Sequence, residues 1–348
     1  MAVTMKDVAD RAGVSIATVS FVLNNTKPVM PDTRQRIERA VIDLGFRRNV
    51  LARALASRRT RIIALVYPAL DQSMRGSATD FVSSAAEAAN DADYHLVVWP
   101  DRGDPGSLQA LVGQGLVDGI VLMEVSMDDA RVAALQKLDF PFAAIGRTRD
   151  ATGLHCVDID FVTSLHHALD HLQGLGHRNI VLISGTRDEA SARTYGPHVR
   201  TVEAFRTAAA ERRFEAFVLE SRQTAASGRL MAQRLAVEAP DATAVVVRDE
   251  ATAAGLVPGL QARGLRVPSD ISVVSLLTSP EMASRCQPPL TIVTSPGQQL
   301  GRLGVEALLR QLHQAQPTEP DLRAGVLVVG ESTGPVSLEA GLLRAERE

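Results

Sequence analysis

The sequence predicts two fold classes in one chain: a small all-α helix-turn-helix head, then an α/β body of two lobes built on parallel sheets. Three observations carry this. Of 348 residues, the first 61 hold 12 Lys and Arg against 5 Asp and Glu, whereas the rest hold 25 against 35. The basic end is filled by short apolar stripes at helical spacing. From Ile62 onward, brief apolar runs alternate with longer helical patterns. A basic module joined to an acidic body is the charge signature of a phosphate-contacting head fused to something else.

In the head, Thr4-Met5-Lys6-Asp7 sets a hydroxyl and a carboxylate three residues apart, a capping-box-like start, and Val8, Ala9 and Ala12 then form one apolar stripe. Gly13 ends this first helix, and Ser15 caps a second over Ile16 to Leu23. Val19, Val22 and Leu23 face inward, leaving Ile16, Ala17, Ser20 and Phe21 outward. A core position is the alternative for Phe21, but helical phase argues against it. Two helices joined by so tight a turn read as helix-turn-helix. A third is announced by Pro31-Asp32-Thr33, carries Ile37, Ala40, Val41 and Leu44, and stops at Gly45.

Several stretches carry a family likeness: Thr4 to Ala9, Ala12-Gly13-Val14-Ser15, Ala17-Thr18-Val19-Ser20, Val22-Leu23-Asn24, Thr33-Arg34, Leu44-Gly45-Phe46, Asn49 to Leu55, and Glu331-Ser332-Thr333-Gly334-Pro335. Together they resemble the lactose-repressor (LacI/GalR) family of bacterial transcription regulators. The resemblance implies that the outward face of the second helix enters the major groove, with Ile16, Ala17 and Phe21 at base-reading positions. Thr18, Ser20 and Asn24 would hold backbone phosphate or sugar, and Thr33 joins the DNA contacts. None of the three base readers can form a bidentate hydrogen bond, so contacts to thymine methyls are expected. Asn49 to Ser57 is similar to the family's hinge helix, which orders on operator DNA. There Leu55 matches the leucine that wedges into the minor groove, Ala52 packs beside it, and Asn49 and Arg53 complete the contact set. Arg48 stands where relatives commonly have proline. Arg58-Arg59-Thr60-Arg61 reads equally well as a phosphate contact or a solvated linker.

The body's apolar runs include Ile62 to Tyr67, His95 to Trp99, Gly119 to Met123, Phe142 to Ile145, Ile180 to Ile183, Ala244 to Val247, Ser272 to Leu276, Thr291 to Val293 and Val326 to Val329. Repeated βα units of this spacing give parallel sheets covered on both faces, and the length favours two sheets with a cleft between them. The family resemblance implies a periplasmic-binding-protein-like body. The division expected is residues 1–47 for the head, 48–61 for hinge and linker, and 62–348 for effector binding and dimerisation. Within the body, the N-subdomain takes about 62–160 plus 293–320 and the C-subdomain the rest. Arg147, Asp160, Arg200 and Asp249 align with effector contacts of relatives, and such residues grip vicinal hydroxyls by paired hydrogen bonds. Lobe-bridging ion pairs are the alternative for each. Two departures point to a ligand with fewer hydroxyls at one end, or a more apolar one: Leu277 stands where relatives carry aspartate, and Phe161 replaces a frequent asparagine.

Enzymatic signals fail on geometry. Gly330-Glu331-Ser332-Thr333-Gly334 fits a nucleophile elbow, yet Pro335 follows at once and no histidine comes later. His167 and His171 are spaced as zinc ligands, but Ala168 stands where a zinc protease needs glutamate, so locally bonded or solvated histidines are expected. Gly113-Gln114-Gly115 lacks the spacing of a dinucleotide turn. Cys156 and Cys286 are isolated and suit a reducing cytoplasm. No apolar run can span a bilayer, and no signal-peptide pattern opens the chain. The expectation is therefore a cytoplasmic regulator, a repressor rather than an enzyme, without metal or cofactor. Its partners are double-stranded operator DNA, a sugar-type effector and a second copy of itself. Leu338, Leu342 and Leu343 are too few for a tetramerising coiled coil. The alternative is a sugar-binding or sugar-processing protein with an accessory DNA-binding head.

Overall fold

A computed structural model describes residues 3–24, 27–46, 59–68, 76–100, 105–186 and 193–336. The chain divides into two compact units, Met1–Thr60 and Arg61–Glu348. Hinge residues Asn49, Ala52, Arg53 and Leu55 lie outside the described residues.

The first unit is helical: α1 (Met5–Ala12), α2 (Ile16–Asn24) and α3 (Pro31–Leu44). A complete capping box starts α1. The Thr4 backbone N–H and hydroxyl each donate to Asp7 Oδ2 at 2.8 Å, and Asp7 N–H returns to Thr4 Oγ1 at 3.4 Å. These bonds hold the Asp7 carboxyl below the usual range. Gly13 closes the helix at φ 65°, a left-handed conformation that most side chains avoid. Val8, Ala9, Ala12, Val19, Val22, Ile37 and Ala40 are buried together, one core from three stripes.

The second unit alternates strands and helices. Its first stretch runs β1 (Ile62–Val66), α4 (Ser77–Asp91), β2 (His95–Trp99), α5 (Pro105–Gly113), β3 (Gly119–Met123), α6 (Ala130–Lys137), β4 (Phe142–Ile145) and β5 (Cys156–Ile159). The next runs α7 (Phe161–Gly174), β6 (Ile180–Thr186), α8 (Gly196–Arg212), β7 (Phe217–Arg222), α9 (Ala225–Glu238), β8 (Ala244–Val247), α10 (Glu250–Ala262) and β9 (Ser272–Thr278). The last holds α11 (Pro280–Arg285), β10 (Thr291–Thr294), α12 (Gly297–Leu312), β11 (Asp321–Arg323) and β12 (Leu327–Val328).

Among the described residues there are two six-stranded sheets, ordered β11-β5-β4-β3-β1-β2 and β12-β10-β9-β8-β6-β7. All pairings are parallel except the short β12 against β10. Each sheet is buried on both faces, which explains why runs such as Gly119–Met123 and Ala244–Val247 are apolar throughout rather than alternating. Separate apolar clusters cover the faces of each sheet.

The lobe boundary differs from the sequence expectation at two places. β10 belongs to the second sheet through Thr294, and β11, assigned to the C-subdomain, adds a parallel edge to β5 of the first sheet. β11 carries two charges in three residues and lies at an edge, so no apolar run announces it. The chain thus passes between lobes after β5, after β10 and after β11. Three parallel connections of this kind make a hinge about which lobes can close.

Candidate functional site

On the head, the turn Gly13-Val14-Ser15 sets the entry of α2. Ser15 Oγ accepts from Thr18 N–H at 3.1 Å and also bonds Thr18 Oγ1 at 2.8 Å, so the start of α2 is fixed by its own side chain. Ile16 and Ala17 are exposed, Ile16 at 48%, although both are apolar. Thr18, Ser20 and Phe21 are half-buried on the same helix, Asn24 ends it, and Thr33 lies in the first turn of α3. Phe21 lies outside the buried cluster, and the Lys27 ammonium stands 4.9 Å from its ring centroid. The head therefore presents an apolar strip flanked by hydroxyls and a cation, suited to a thymine-methyl surface bordered by phosphate.

A cavity of about 420 Å³ opens between the lobes at the carboxyl ends of strands from both sheets. Tyr67 follows β1, Glu124 follows β3, Gly146 follows β4, Arg248 follows β8, and Leu277 belongs to the end of β9. Parallel α/β sheets place ligands at such strand ends, where the order reverses. Tyr67, Phe81 and Tyr195 supply aromatic surface. The loop after β3 is braced from behind by the buried pair Arg131–Asp129 at 2.7 Å, whose guanidinium also donates to the Met123 and Glu124 carbonyls.

Of the residues singled out from sequence, Arg147 and Arg200 converge. Arg147 Nε lies 3.3 Å and Arg200 Nη1 3.4 Å from the same atom, Asp158 Oδ2, and Arg200 Nη2 donates to the Arg147 carbonyl. Asp158 lines this cleft cavity while the two arginines stand behind it and line a neighbouring groove. Asp249 lies on the cavity wall, where it caps α10 by accepting from Thr252 N–H and Oγ1, both at 2.9 Å. Asp160 does not line this cavity: it caps α7, accepting from Thr163 N–H at 2.9 Å and Oγ1 at 2.7 Å.

Sequence reasoning missed Asp158, Arg248 and Glu250. A lone carboxylate inside the apolar run Cys156–Ile159 was the available signal, since a buried charge must find a partner. Arg248 is buried under the Tyr195 ring at 5.5 Å, donates through Nη2 to Gly185 O at 2.6 Å, and leaves Nε without a hydrogen-bond partner. Glu250 reaches across the cleft, accepting from Ser77 N–H of the first lobe and from Ser279 N–H and Oγ of the second, each at 3.3 Å. Burial pushes its carboxyl up. Leu277, which replaces the family's aspartate, holds φ 52°, a strained value for leucine at a wall where the β9–β10 register also shifts.

The residues weighed for catalysis are structural. Ser332 is fully buried, donates to Val273 O at 2.6 Å and accepts from Thr291 N–H at 2.8 Å. His167 bonds Gly325 O at 3.0 Å and His171 bonds Thr333 Oγ1 at 2.9 Å, so both are locally bonded.

Comparison with known proteins follows the same division. A model described as bacterial regulatory proteins, lacI family, matches residues 4–49, and one described as periplasmic binding protein-like domain matches 169–333. The HTH-type transcriptional regulator DegA of Bacillus subtilis (strain 168) is 30% identical over 310 residues, covering 86% of this chain and 89% of that one. The chain belongs to the lacI family of bacterial regulatory proteins. Among solved structures, this LacI-family chain is similar to the transcriptional regulator CelR in complex with cellobiose, at 28% identity and TM-score 0.70 over 95% of this chain and 99% of that one. The lac repressor dimer bound to operator and the anti-inducer ONPF shares the fold at TM-score 0.80 and 24% identity, over 96% and 100% of the two chains. The LacI-family protein is thus an effector-controlled DNA-binding transcriptional regulator and not an enzyme. No described helix is long and apolar enough to cross a membrane.

Proposed function

We propose that this regulator represses transcription as a homodimer on a palindromic operator, and that a sugar-type molecule in the interlobe cleft sets its grip. Residues 1–47 form the DNA-binding head, 48–61 the hinge and linker, and 62–348 the effector and dimerisation body, working in the cytoplasm where the operator is. The observation that carries the DNA half is the exposed apolar strip Ile16–Ala17, with half-buried Phe21, on a helix-turn-helix whose core is already complete without it. Ile16, Ala17 and Phe21 meet base edges, while Thr18, Ser20, Asn24 and Thr33 hold the backbone. Asn49, Ala52, Arg53 and Leu55 engage the minor groove from the hinge. A single head buries too little for tight specific binding, so two are needed at half-sites about one helical turn apart.

For the effector half, the aromatic walls and the Asp158, Asp249 and Arg248 polar groups suit a hydroxylated ring, and the similar CelR structure holds cellobiose. Arg147 and Arg200 set the position of Asp158, and Asp249 is on the wall; Asp160 stays with its helix cap. Ligand and operator are then reciprocally coupled, typically by about 1 to 3 kcal/mol. The test is a mobility-shift assay on palindromic genomic fragments, with and without candidate sugars. Binding should fall steeply with salt and vanish on removal of residues 1–60. A strictly monomeric protein indifferent to all duplexes would sink the proposal.

A further inference from the structure

The cleft carries a second message, about charge. Among the described residues that line it, Asp158, Asp249 and Glu250 are acidic and Arg248 is basic, with Arg147 and Arg200 standing behind Asp158. Helix N-termini at strand ends ordinarily attract phosphate or carboxylate, because their free N–H groups and dipole favour an anion. Here two of those positions are already taken by the protein. Asp249 accepts from Thr252 N–H at the start of α10, and Glu250 accepts from Ser77 N–H at the start of α4. The fit at α4 is close: a Cβ placed on Gly76, which has φ 57°, would fall 1.6 Å from Glu250 Oε1. The backbone at 76 is thus shaped around a carboxylate that comes from the opposite lobe.

We infer that Glu250 and Asp249 fill the cleft's anion positions from within, so that the effector is a hydroxyl-rich molecule carrying no phosphate or carboxylate, with Glu250 the residue that excludes anions. This rests on the cleft being an effector site. Carboxylates only accept hydrogen bonds, so the Asp249 and Glu250 side chains on the wall favour a ligand rich in donors. A phosphate ester offers acceptors to acceptors, and brings its charge against buried like charge. Hydroxyls donate to the carboxylates, while an apolar ring face covers Tyr67, Phe81 and Tyr195. Discrimination by like charge of this kind needs no added attraction for the correct ligand.

The experiment is a thermal-shift and calorimetric panel on the full chain, using glucose, cellobiose, glucose 6-phosphate, fructose 1,6-bisphosphate and glucuronate, repeated on Glu250→Gln. The amide keeps an acceptor toward Ser77 and removes the charge. The wild-type chain should bind a neutral member and none of the anions, whereas Glu250→Gln should gain affinity for an anionic member by about tenfold or more. An anion preferred by the wild type overturns the inference while leaving the effector cleft standing. Silence of the whole panel overturns both. A variant that folds, binds the neutral sugar and still rejects every anion removes Glu250 from the role.

Discussion

Asp158 and Arg200 lie 3.4 Å apart, Oδ2 to Nη1, both buried and with no hydrogen bond completing the pair. Burial pushes the Asp158 carboxyl up and the Arg200 guanidinium down, in each case against the attraction of the other. Desolvation outweighs pairing, so the fold holds this pair together rather than being held by it.

Removing one member is then costly. Arg200→Ala leaves Asp158 facing Arg147 alone, at 3.3 Å, and should lower body stability by about 3 kcal/mol in urea titrations. Adding Asp158→Asn to it should restore much of that loss. Both variants should lose ligand binding, which separates the stability role from the site role. An Arg200→Ala body as stable as the parent would show that solvent already screens the pair.

Glu250 gives a prediction in pH. Its carboxyl is raised first by burial, against hydrogen bonds from Ser279 and Ser77, so the folded chain holds this proton more tightly than the unfolded chain. The stability so contributed is full below the unfolded value of about 4.3 and is lost as pH rises through the folded value. Glu250→Gln removes the dependence. Urea midpoints of variant and parent should therefore diverge in the variant's favour as pH climbs from about 4 toward neutrality; parallel curves would contradict it.

The contrast between Asp158 and Asp160 shows how far the sequence alone reaches. Apolar runs in β1, β3 and β8 are uninterrupted because both sheet faces are covered, and so the two-sheet body is legible from them. A carboxylate's direction is not. Asp158 and Asp160 straddle one strand end, and only the start of α7 decides that Asp160 turns back to its own helix while Asp158 stays inside. Arg147 and Arg200 are both readable as cleft cations, but their convergence on one oxygen depends on the packing of two elements far apart in sequence. Glu250 was invisible because its partner, Ser77, lies 173 residues away in the other lobe.

Ser332 tests the boundary between motif and architecture. Its hydroxyl joins Val273 O and Thr291 N–H, stitching the last described segment to β9 and β10. Ser332→Ala strands both groups in the core and should cost about 1 to 3 kcal/mol. Operator affinity at a temperature where the variant is folded should not move. Loss of a hydrolytic activity with unchanged melting would point instead to a nucleophile.

On the head, the apolar strip separates sequence reading from mere attachment. Ile16 is almost half exposed and Phe21 stands outside the core, so neither Ile16→Ser nor Phe21→Ala should unfold the three-helix unit. Each removes apolar contact with a base edge, and should weaken operator binding by about 1 kcal/mol or more, near fivefold, with little change at random sequence. The salt dependence should keep its slope, because no phosphate contact is lost. Replacing Lys27 by Ala is the reverse case: its ammonium lies over Phe21, so its loss should weaken operator and random duplex alike and flatten the salt slope by about one ion. Anisotropy titrations at several salt concentrations distinguish the two patterns. If Ile16→Ser and Phe21→Ala instead weaken random and operator DNA equally, the strip is a docking surface and the bases are read elsewhere.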